Sequence, residues 1–131
     1  MNLVVDTSVI IAVIADEPEK PGLIDATRDF DLVAPESLHW EIGNAFSAML
    51  KRNRITLEQA ETAVEIYRQI PLNLVNVDLK QALNLADNLK IYAYDAYMIA
   101  CALNSGCKLI SLDSGLVRSA KIAGVGIVEL E

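Results

Sequence analysis

The chain has 131 residues, close to the commonest size of a single domain, and we expect one domain over residues 1–131. Hydrophobic residues make up 53% and charged residues 22% of the sequence, which is typical of a folded globular protein and excludes a disordered chain. The formal net charge of −7 argues against passive binding to nucleic acid, which normally needs a basic surface.

The sequence opens with a predicted strand and two predicted helices. The apolar run "LVV" at residues 3–5 predicts a buried strand that ends at Asp6. The segment "TSVIIAVIADE" predicts a helix that begins at Thr7 or Ser8, and "PEKPGLIDATRDF" predicts a second, short helix. Asp6 therefore lies at a junction between a strand and a helix.

A second strand and two longer helices are predicted next. "DLVAP" predicts a strand that ends at Pro35. From Pro35 to about Arg52 the apolar residues recur at the spacing of one helical face, at Leu38, Ile42, Ala45 and Met49. "RITLEQAETAVEIYRQI" predicts another helix, in which Thr56 and Gln59 have the spacing of a capping box and which Pro71 ends.

The second half of the chain continues the alternation. "LNLVNV" alternates like a strand, and Asp78 is a candidate cap for the helix "LKQALNLADNLK". "YAYDAYMIACAL" predicts a helix that Gly106 ends; "KLISL" predicts a strand, "SGLVRSAKIAG" a short helix and "VGIVEL" a last strand. Strands that alternate with helices predict an α/β fold with a mainly parallel central sheet.

The sequence also indicates a compartment and excludes some kinds of site. No apolar run reaches the roughly 18 residues of a membrane helix, and no Lys or Arg precedes Lys20 as a signal peptide would require. We therefore expect a cytoplasmic protein. Cys101 and Cys107 lie in or beside apolar segments and are expected to be buried, inert thiols. His39 is the only histidine, so a Cys/His zinc site would lack ligands.

Two aspartates follow predicted strands. Asp6 comes directly after "LVV" and Asp113 directly after "KLISL". In parallel α/β sheets, sites form beyond the carboxyl ends of the strands. Each aspartate could equally be a turn or cap residue, so their position alone leaves both interpretations open.

Asp95 and Glu41 are two further candidates. Asp95 is the only charged side chain between Lys90 and Lys108 and lies among apolar residues, so it must cap a helix, pair with a cation or bind a metal. Glu41 lies about 60° from Leu38 around the predicted helix, at the border of its apolar face. It is either a ligand or a surface residue whose stem covers apolar side chains.

Convergence of these four carboxylates would need a counter-charge. No Lys or Arg is an obvious partner in the sequence, and clustered like charges cost several kcal/mol in a low dielectric. A divalent cation removes that cost, and oxygen ligands without His or Cys select Mg²⁺ or Mn²⁺. Such a site suggests metal-assisted phosphodiester chemistry.

Four segments together resemble the PIN-domain family, and in particular the small VapC-type toxin ribonucleases. They are "LVVDTSVII", "EIGNAF", "YDAYMIACA" and "LISLDSGL", which occur in this order along almost the whole chain. The resemblance implies a three-layer α/β/α sandwich around a mainly parallel sheet. At one end it implies four acidic residues that bind metal and carry the catalysis: Asp6, Glu41, Asp95 and Asp113.

The resemblance also implies roles for particular residues. Asp6 and Asp95 would be the principal Mg²⁺ (or Mn²⁺) ligands, and Glu41 and Asp113 would complete the pocket. Ser8 and Ser111 match small polar positions of the family and would hold ligands or water. Asn44 matches the polar position that follows the family's Glu, and from one helical turn beyond Glu41 it could orient that carboxylate.

The implied function is that of a metal-dependent endoribonuclease that hydrolyses RNA as the toxin of a type II toxin–antitoxin pair. A cognate antitoxin and a homodimer are the implied partners, with Trp40, Phe46 and Tyr67 as candidate contacts unless they pack in the core. The basic segment "KRNR", with Lys51, Arg52 and Arg54, is a possible RNA contact or a solvated helix end, and a second basic patch is formed by Arg118 and Lys121.

Two alternatives within the same fold stay open. One is a housekeeping PIN nuclease, which would have the same active-site residues. The other is a non-catalytic binding module whose carboxylates are only helix caps. Phosphatases of the haloacid-dehalogenase type and receiver domains are excluded by motif, since the former need a second Asp where Ser8 stands and the latter an acidic pair at that strand end.

Overall fold

The centre of the structure is a parallel sheet of four short strands. The computed structural model describes residues 1–130. The strands are β1 (Asn2–Val5), β2 (Asp31–Pro35), β3 (Leu72–Val75) and β4 (Lys108–Ile110), in the spatial order β3-β2-β1-β4. Every neighbouring pair is parallel, with Val4 opposite Val33 on one side and Leu109 on the other. The predicted α/β fold with a mainly parallel sheet is confirmed.

Seven helices flank this sheet within the described residues. They are α1 (Thr7–Ile14), α2 (Lys20–Thr27), α3 (Ser37–Lys51), α4 (Leu57–Arg68), α5 (Leu79–Leu89), α6 (Ala93–Ser105) and α7 (Ser114–Ile122). The strand order runs from β1 towards β3 and then returns to β4, so right-handed crossovers put α1–α4 on one face and α5 and α6 on the other. Helix α6 contacts β1, β2 and β4, and α5 packs on α6. The predicted α/β/α sandwich is thus confirmed.

The core lies around β1 and α6. Leu3, Val4 and Val5 are fully buried because β1 is a central strand with helices on both faces. Five consecutive residues of α6, from Met98 to Ala102, are buried as well, and the small side chains among them allow close packing. Cys101 is one of these, and burial raises the pKa of its thiol to about 11, so it stays protonated at neutral pH, while Cys107 is half-buried.

Local capping signals were predicted well. Thr56 and Gln59 form both hydrogen bonds of a capping box at the start of α4. The Asp78 side chain caps α5, and Gly106 ends α6 in the left-handed conformation with a φ of 61°. Helix α1 begins at Thr7, as expected, with Asp6 in the N-cap position.

The ends of several elements differ from the predictions. The predicted last strand "VGIVEL" is wrong for the described residues, because only one parallel bridge joins Ile127 to Leu109 and β4 offers an edge of three residues. Strand β4 also ends at Ile110, since the Leu112 N–H turns away to donate to the Ser8 hydroxyl at 2.9 Å. No helix within residues 1–130 combines the length and apolar character that crossing a bilayer requires.

Candidate functional site

The acidic side chains meet at the carboxyl end of the sheet, where β1 and β4 lie side by side. Asp6 follows β1, and Asp113 lies three residues beyond β4. Glu41 comes from α3, the helix that follows β2, and Asp95 from the first turn of α6. Between β1 and β4 the order of the strands reverses, which is where open α/β sheets form their binding crevices.

Asp6 is the most deeply placed of the four carboxylates, with only 5% of the residue exposed. Its Oδ1 accepts hydrogen bonds from the Ser8 hydroxyl at 2.7 Å and the Val9 N–H at 3.2 Å, and its Oδ2 accepts one from the Ser111 hydroxyl at 2.6 Å. Burial raises the pKa of Asp6, and these hydrogen bonds oppose that rise. Asp6 is therefore a helix cap and a buried member of the cluster at once.

Glu41 is fixed by two hydroxyl groups that the sequence analysis did not identify. Its Oε1 accepts from Thr7 and its Oε2 from Ser37, each at 3.1 Å. Burial raises the pKa of Glu41 first, and the negative charges of Asp6 and Asp95 raise it further. The signal for Ser37 was available, because it lies four residues before Glu41 on the same helix face.

Asn44 lies on the same helix but is exposed and makes no hydrogen bond to Glu41 within the described residues. Both carboxylate oxygens of Glu41 already accept hydrogen bonds, one from Thr7 and one from Ser37. The expected orienting role of Asn44 stays a prediction.

Asp95 lies at the third position of α6, and Tyr92 occupies the N-cap position without a capping side-chain hydrogen bond. The Asp95 carboxylate accepts no hydrogen bond and forms no ion pair among residues 1–130, although the residue is half-buried. It does not cap the helix through a hydrogen bond. Burial raises its pKa, and the negative charge of Asp113 adds to that rise.

Asp113 caps α7, and two serines connect it to Asp6. Its Oδ1 accepts from the Gly115 and Leu116 N–H groups at 2.9 and 3.2 Å, while its own N–H donates to the Ser111 hydroxyl at 2.9 Å. Ser111 thus bridges the two aspartates directly. Ser8 makes a second link, because it donates to Asp6 and accepts from the loop after β4.

Each of the four carboxylates lies close enough to two of the others for their negative charges to repel. Beyond the effect of burial, Asp113 raises the pKa of Asp6 and of Asp95, and Asp6 and Asp95 raise that of Glu41. The repulsions therefore connect four residues in a ring. We call this group the acidic cluster: Asp6, Glu41, Asp95 and Asp113. No Lys or Arg within the described residues forms an ion pair with any of them. Within the described residues, the cluster is therefore a concentration of negative charge that no cationic side chain neutralises.

The chemistry of the cluster fits a hard divalent cation. It offers carboxylate oxygens with no His or Cys, the donor set that Mg²⁺ and Mn²⁺ prefer. Within residues 1–130, however, no three such side chains are drawn together tightly enough to enclose an ion. Asp95 is the member whose oxygens no hydrogen bond holds, so its side chain is the least restrained from moving towards a cation.

The other residues singled out in the sequence lie outside the acidic cluster. Residues 51–54 are exposed at the far end of α3, and Lys51 is about 15 Å along the helix axis from Glu41. Phe46 and Tyr67 are buried, so the prediction that they could be surface contacts is wrong for these two residues. Trp40, in contrast, is 73% exposed. These two aromatic rings pack in the core because they lie on the apolar faces of α3 and α4.

The parallel α/β/α sandwich and the acidic cluster beyond its strand ends define a class of protein. Comparison with known proteins identifies that class. The sequence model of the PIN domain matches residues 3–122, and the chain belongs to the PIN-domain family. No protein with a curated description is significantly similar to it in sequence.

Three solved structures share the fold. PAE2754 from Pyrobaculum aerophilum is 20% identical with a TM-score of 0.69, covering 98% of this chain and 84% of that one. VapBC2 from Rickettsia felis, bound to a DNA fragment from its promoter, is 13% identical with a TM-score of 0.72 and full coverage of both chains. FitAcB from Neisseria gonorrhoeae is 16% identical with a TM-score of 0.58, covering 97% and 96%. At these identities the likeness establishes the fold.

Proposed function

We propose that residues 1–131 form one PIN nuclease domain that hydrolyses RNA phosphodiester bonds with the help of Mg²⁺ or Mn²⁺. The observation that carries this proposal is the acidic cluster, in which carboxylates from four separate elements converge without a cation from the protein. Bringing these like charges together costs free energy of folding. A phosphodiester reaction that uses a divalent cation gives the cluster a function that accounts for this cost.

Asp6, Glu41, Asp95 and Asp113 would hold the metal, with Asp6 and Asp95 as its principal ligands. When bound, a divalent cation would neutralise charge on the phosphoryl oxygens and so favour attack of water on phosphorus with departure of the ribose oxygen. Ser8 orients the Asp6 carboxylate through its hydroxyl group.

The remaining hydroxyl groups serve the same purpose. Ser111 orients the second oxygen of Asp6, while Thr7 and Ser37 orient Glu41. Glu41 or Asp113 would accept the proton of the attacking water.

We further propose that the protein is the toxin of a VapBC-like type II pair that acts in the cytoplasm, with an antitoxin and a second copy of the chain as partners. The support is membership of the PIN-domain family together with the fold shared with VapBC2 and FitAcB. The exposed Trp40 on α3 is a surface anchor suited to such a contact, since large aromatic side chains dominate binding energy at interfaces.

A binding module with capping carboxylates explains less of the structure. Capping accounts for Asp6 and Asp113, which accept backbone N–H groups at the starts of α1 and α7. It does not account for Asp95, which makes no such bond, or for Glu41, which lies inside α3. The nuclease assignment accounts for all four.

Asp6→Asn tests the assignment. Asparagine is a good N-cap and nearly the same size, so the circular dichroism spectrum should stay that of the wild type. Loss of the most buried charge of the cluster should reduce Mn²⁺-dependent cleavage of total cellular RNA at least a hundredfold. Asp87→Asn, at an exposed surface aspartate on α5, is the matched control and should cleave like the wild type. Cleavage retained by purified Asp6→Asn protein would contradict the assignment.

A further inference from the structure

A surface groove of about 570 Å³ begins beside the acidic cluster. One wall is a face of α7, formed by Ser114, Val117, Arg118 and Lys121, which recur at intervals of three and four residues. The other wall is the chain segment 127–130, which follows the single bridge to β4. The groove therefore lies between α7 and a segment that the bridge at Ile127 attaches to the sheet.

Ser111 connects the groove with the acidic cluster. This residue lines the groove and also donates its hydroxyl proton to Asp6 Oδ2 at 2.6 Å. Ser114, the next lining residue on α7, directly follows Asp113. A strand whose phosphate reaches the acidic cluster would thus enter the groove with the nucleotides next to that phosphate.

Two cations on α7 line the groove. Arg118 and Lys121 lie about 6 and about 10 Å along α7 from Ser114. Lys121 pairs at 3.2 Å with Glu129, which lines the opposite wall of the groove. Arg118 is exposed and forms no ion pair with an acidic side chain of residues 1–130. A guanidinium without such a partner is suited to bidentate binding of a phosphate.

The charge pattern favours a polyanionic occupant. The chain as a whole carries a net charge of −7, and the acidic cluster would repel a nucleic acid strand wherever metal does not screen it. Because Lys121 is paired with Glu129, the groove offers one cation without an acidic partner among residues 1–130, Arg118, beside that repulsive region. A nucleic acid strand bound in the groove would be attracted by the Arg118 guanidinium, which contacts a phosphate, instead of being repelled by the acidic cluster.

We propose that this groove binds the sugar–phosphate backbone of single-stranded RNA adjacent to the scissile bond, with Arg118 contacting a phosphate. The inference rests on the proposed nuclease function and adds the path of the strand to it. Arg118 acts in binding and not in the chemical step, so it contributes to KM and to the salt dependence.

The test compares wild type, Arg118→Ala and Arg118→Lys on a random-sequence single-stranded RNA that carries a fluorophore and a quencher, in Mn²⁺ and at several NaCl concentrations. Arg118→Ala should raise KM about tenfold, as expected for one lost charge-assisted contact, and leave kcat within about twofold. The slope of log kcat/KM against log salt should become shallower by about 0.7, the value for one phosphate contact to a single strand. Arg118→Lys keeps the charge but not the bidentate contact, so it should restore the salt slope and only part of the KM. Arg68→Ala, at an exposed arginine on α4 outside the groove, should behave as the wild type.

Different failures have different meanings. Wild-type KM and salt slope in Arg118→Ala would overturn the groove assignment and leave the nuclease proposal standing. A loss confined to kcat would overturn it too. If polyglutamate competed with the RNA as strongly as unlabelled RNA does, and Arg118→Ala abolished that competition, the groove would belong to an acidic protein segment. Absence of metal-dependent cleavage by the wild type would overturn both proposals.

Discussion

Asp95 differs from the other carboxylates of the acidic cluster in having no hydrogen-bond donor among the described residues. Asp6 accepts hydrogen bonds from a hydroxyl group and a backbone N–H group, and Asp113 accepts them from two backbone N–H groups. Glu41 accepts two hydrogen bonds from hydroxyl groups. What stabilises the Asp95 charge is its place in the first turn of α6, where the helix dipole favours an anion. Burial and the neighbouring Asp113 act in the opposite direction. Its charge is thus the least compensated in the metal-free protein.

Asp95→Asn should therefore raise the melting temperature of the metal-free protein. We expect a rise of about 1–3 °C in EDTA at neutral pH, since partial exposure screens the repulsion that is removed. Millimolar Mn²⁺ should raise the wild-type melting temperature, because a ligand that binds only the folded state stabilises it, and should leave that of Asp95→Asn unchanged.

The measurement is a thermal melt of both proteins in EDTA and in Mn²⁺, with Asp87→Asn as the control for loss of an aspartate charge elsewhere. The control should respond to Mn²⁺ as the wild type does. An equal Mn²⁺ response in Asp95→Asn would exclude Asp95 as a principal ligand. A variant that melts no higher than the wild type in EDTA would show that Asp95 is not under repulsive strain.

At the scale of elements, three helices begin at the acidic cluster. Asp6, Asp95 and Asp113 lie at or within the first turn of α1, α6 and α7, so the positive ends of three helix dipoles face the same group of carboxylates. Helix α3 is joined to α1 through Glu41, which accepts from Thr7 on one helix and from Ser37 on its own. The packing of α1 against α3 therefore sets the position of the Glu41 carboxylate.

Ser37→Ala tests this link between elements. Loss of one hydrogen bond to a half-buried carboxylate should lower the free energy of unfolding by about 1 kcal/mol. It should also lower kcat for RNA about fivefold, since Glu41 is then held by Thr7 alone. Ser47→Ala is the matched control on the same helix, because the Ser47 hydroxyl bonds only to a carbonyl of its own helix. Activity that stays at the wild-type level in Ser37→Ala, with the stability loss present, would assign Ser37 to folding alone.

The elements also show which features a sequence reveals. The capping box at Thr56, the N-cap at Asp78 and the C-cap at Gly106 are signals within a few residues, and all were predicted. The predicted last strand failed because alternation does not say whether a neighbouring strand is long enough to pair with it. The bond from Thr7 to Glu41 spans 34 residues of sequence, and no local pattern contains it.

For the whole molecule, the acidic cluster makes stability depend on pH in a particular direction. In the native state the pKa values of Asp6, Glu41 and Asp95 are all raised, with burial as the largest cause. Between the ordinary and the raised pKa of each group, the native protein binds more protons than the unfolded chain does. The free energy of unfolding therefore falls as pH rises through that window and is level above it.

We expect the metal-free protein to lose stability from about pH 4 upward through the raised pKa values, since the window begins at the ordinary values of 3.8 for Asp and 4.5 for Glu. Asp6→Asn removes the most buried of the three groups, so the variant should gain stability over the wild type as pH rises and should match it most closely at acidic pH. Urea unfolding in EDTA across this range measures the difference. Asp78→Asn, at an exposed N-cap outside the acidic cluster, should follow the wild-type profile. The difference in free energy of unfolding between Asp6→Asn and wild type could instead be the same at every pH. That result would mean that burial does not oppose ionisation of Asp6 and that repulsion within the cluster does not destabilise the native state.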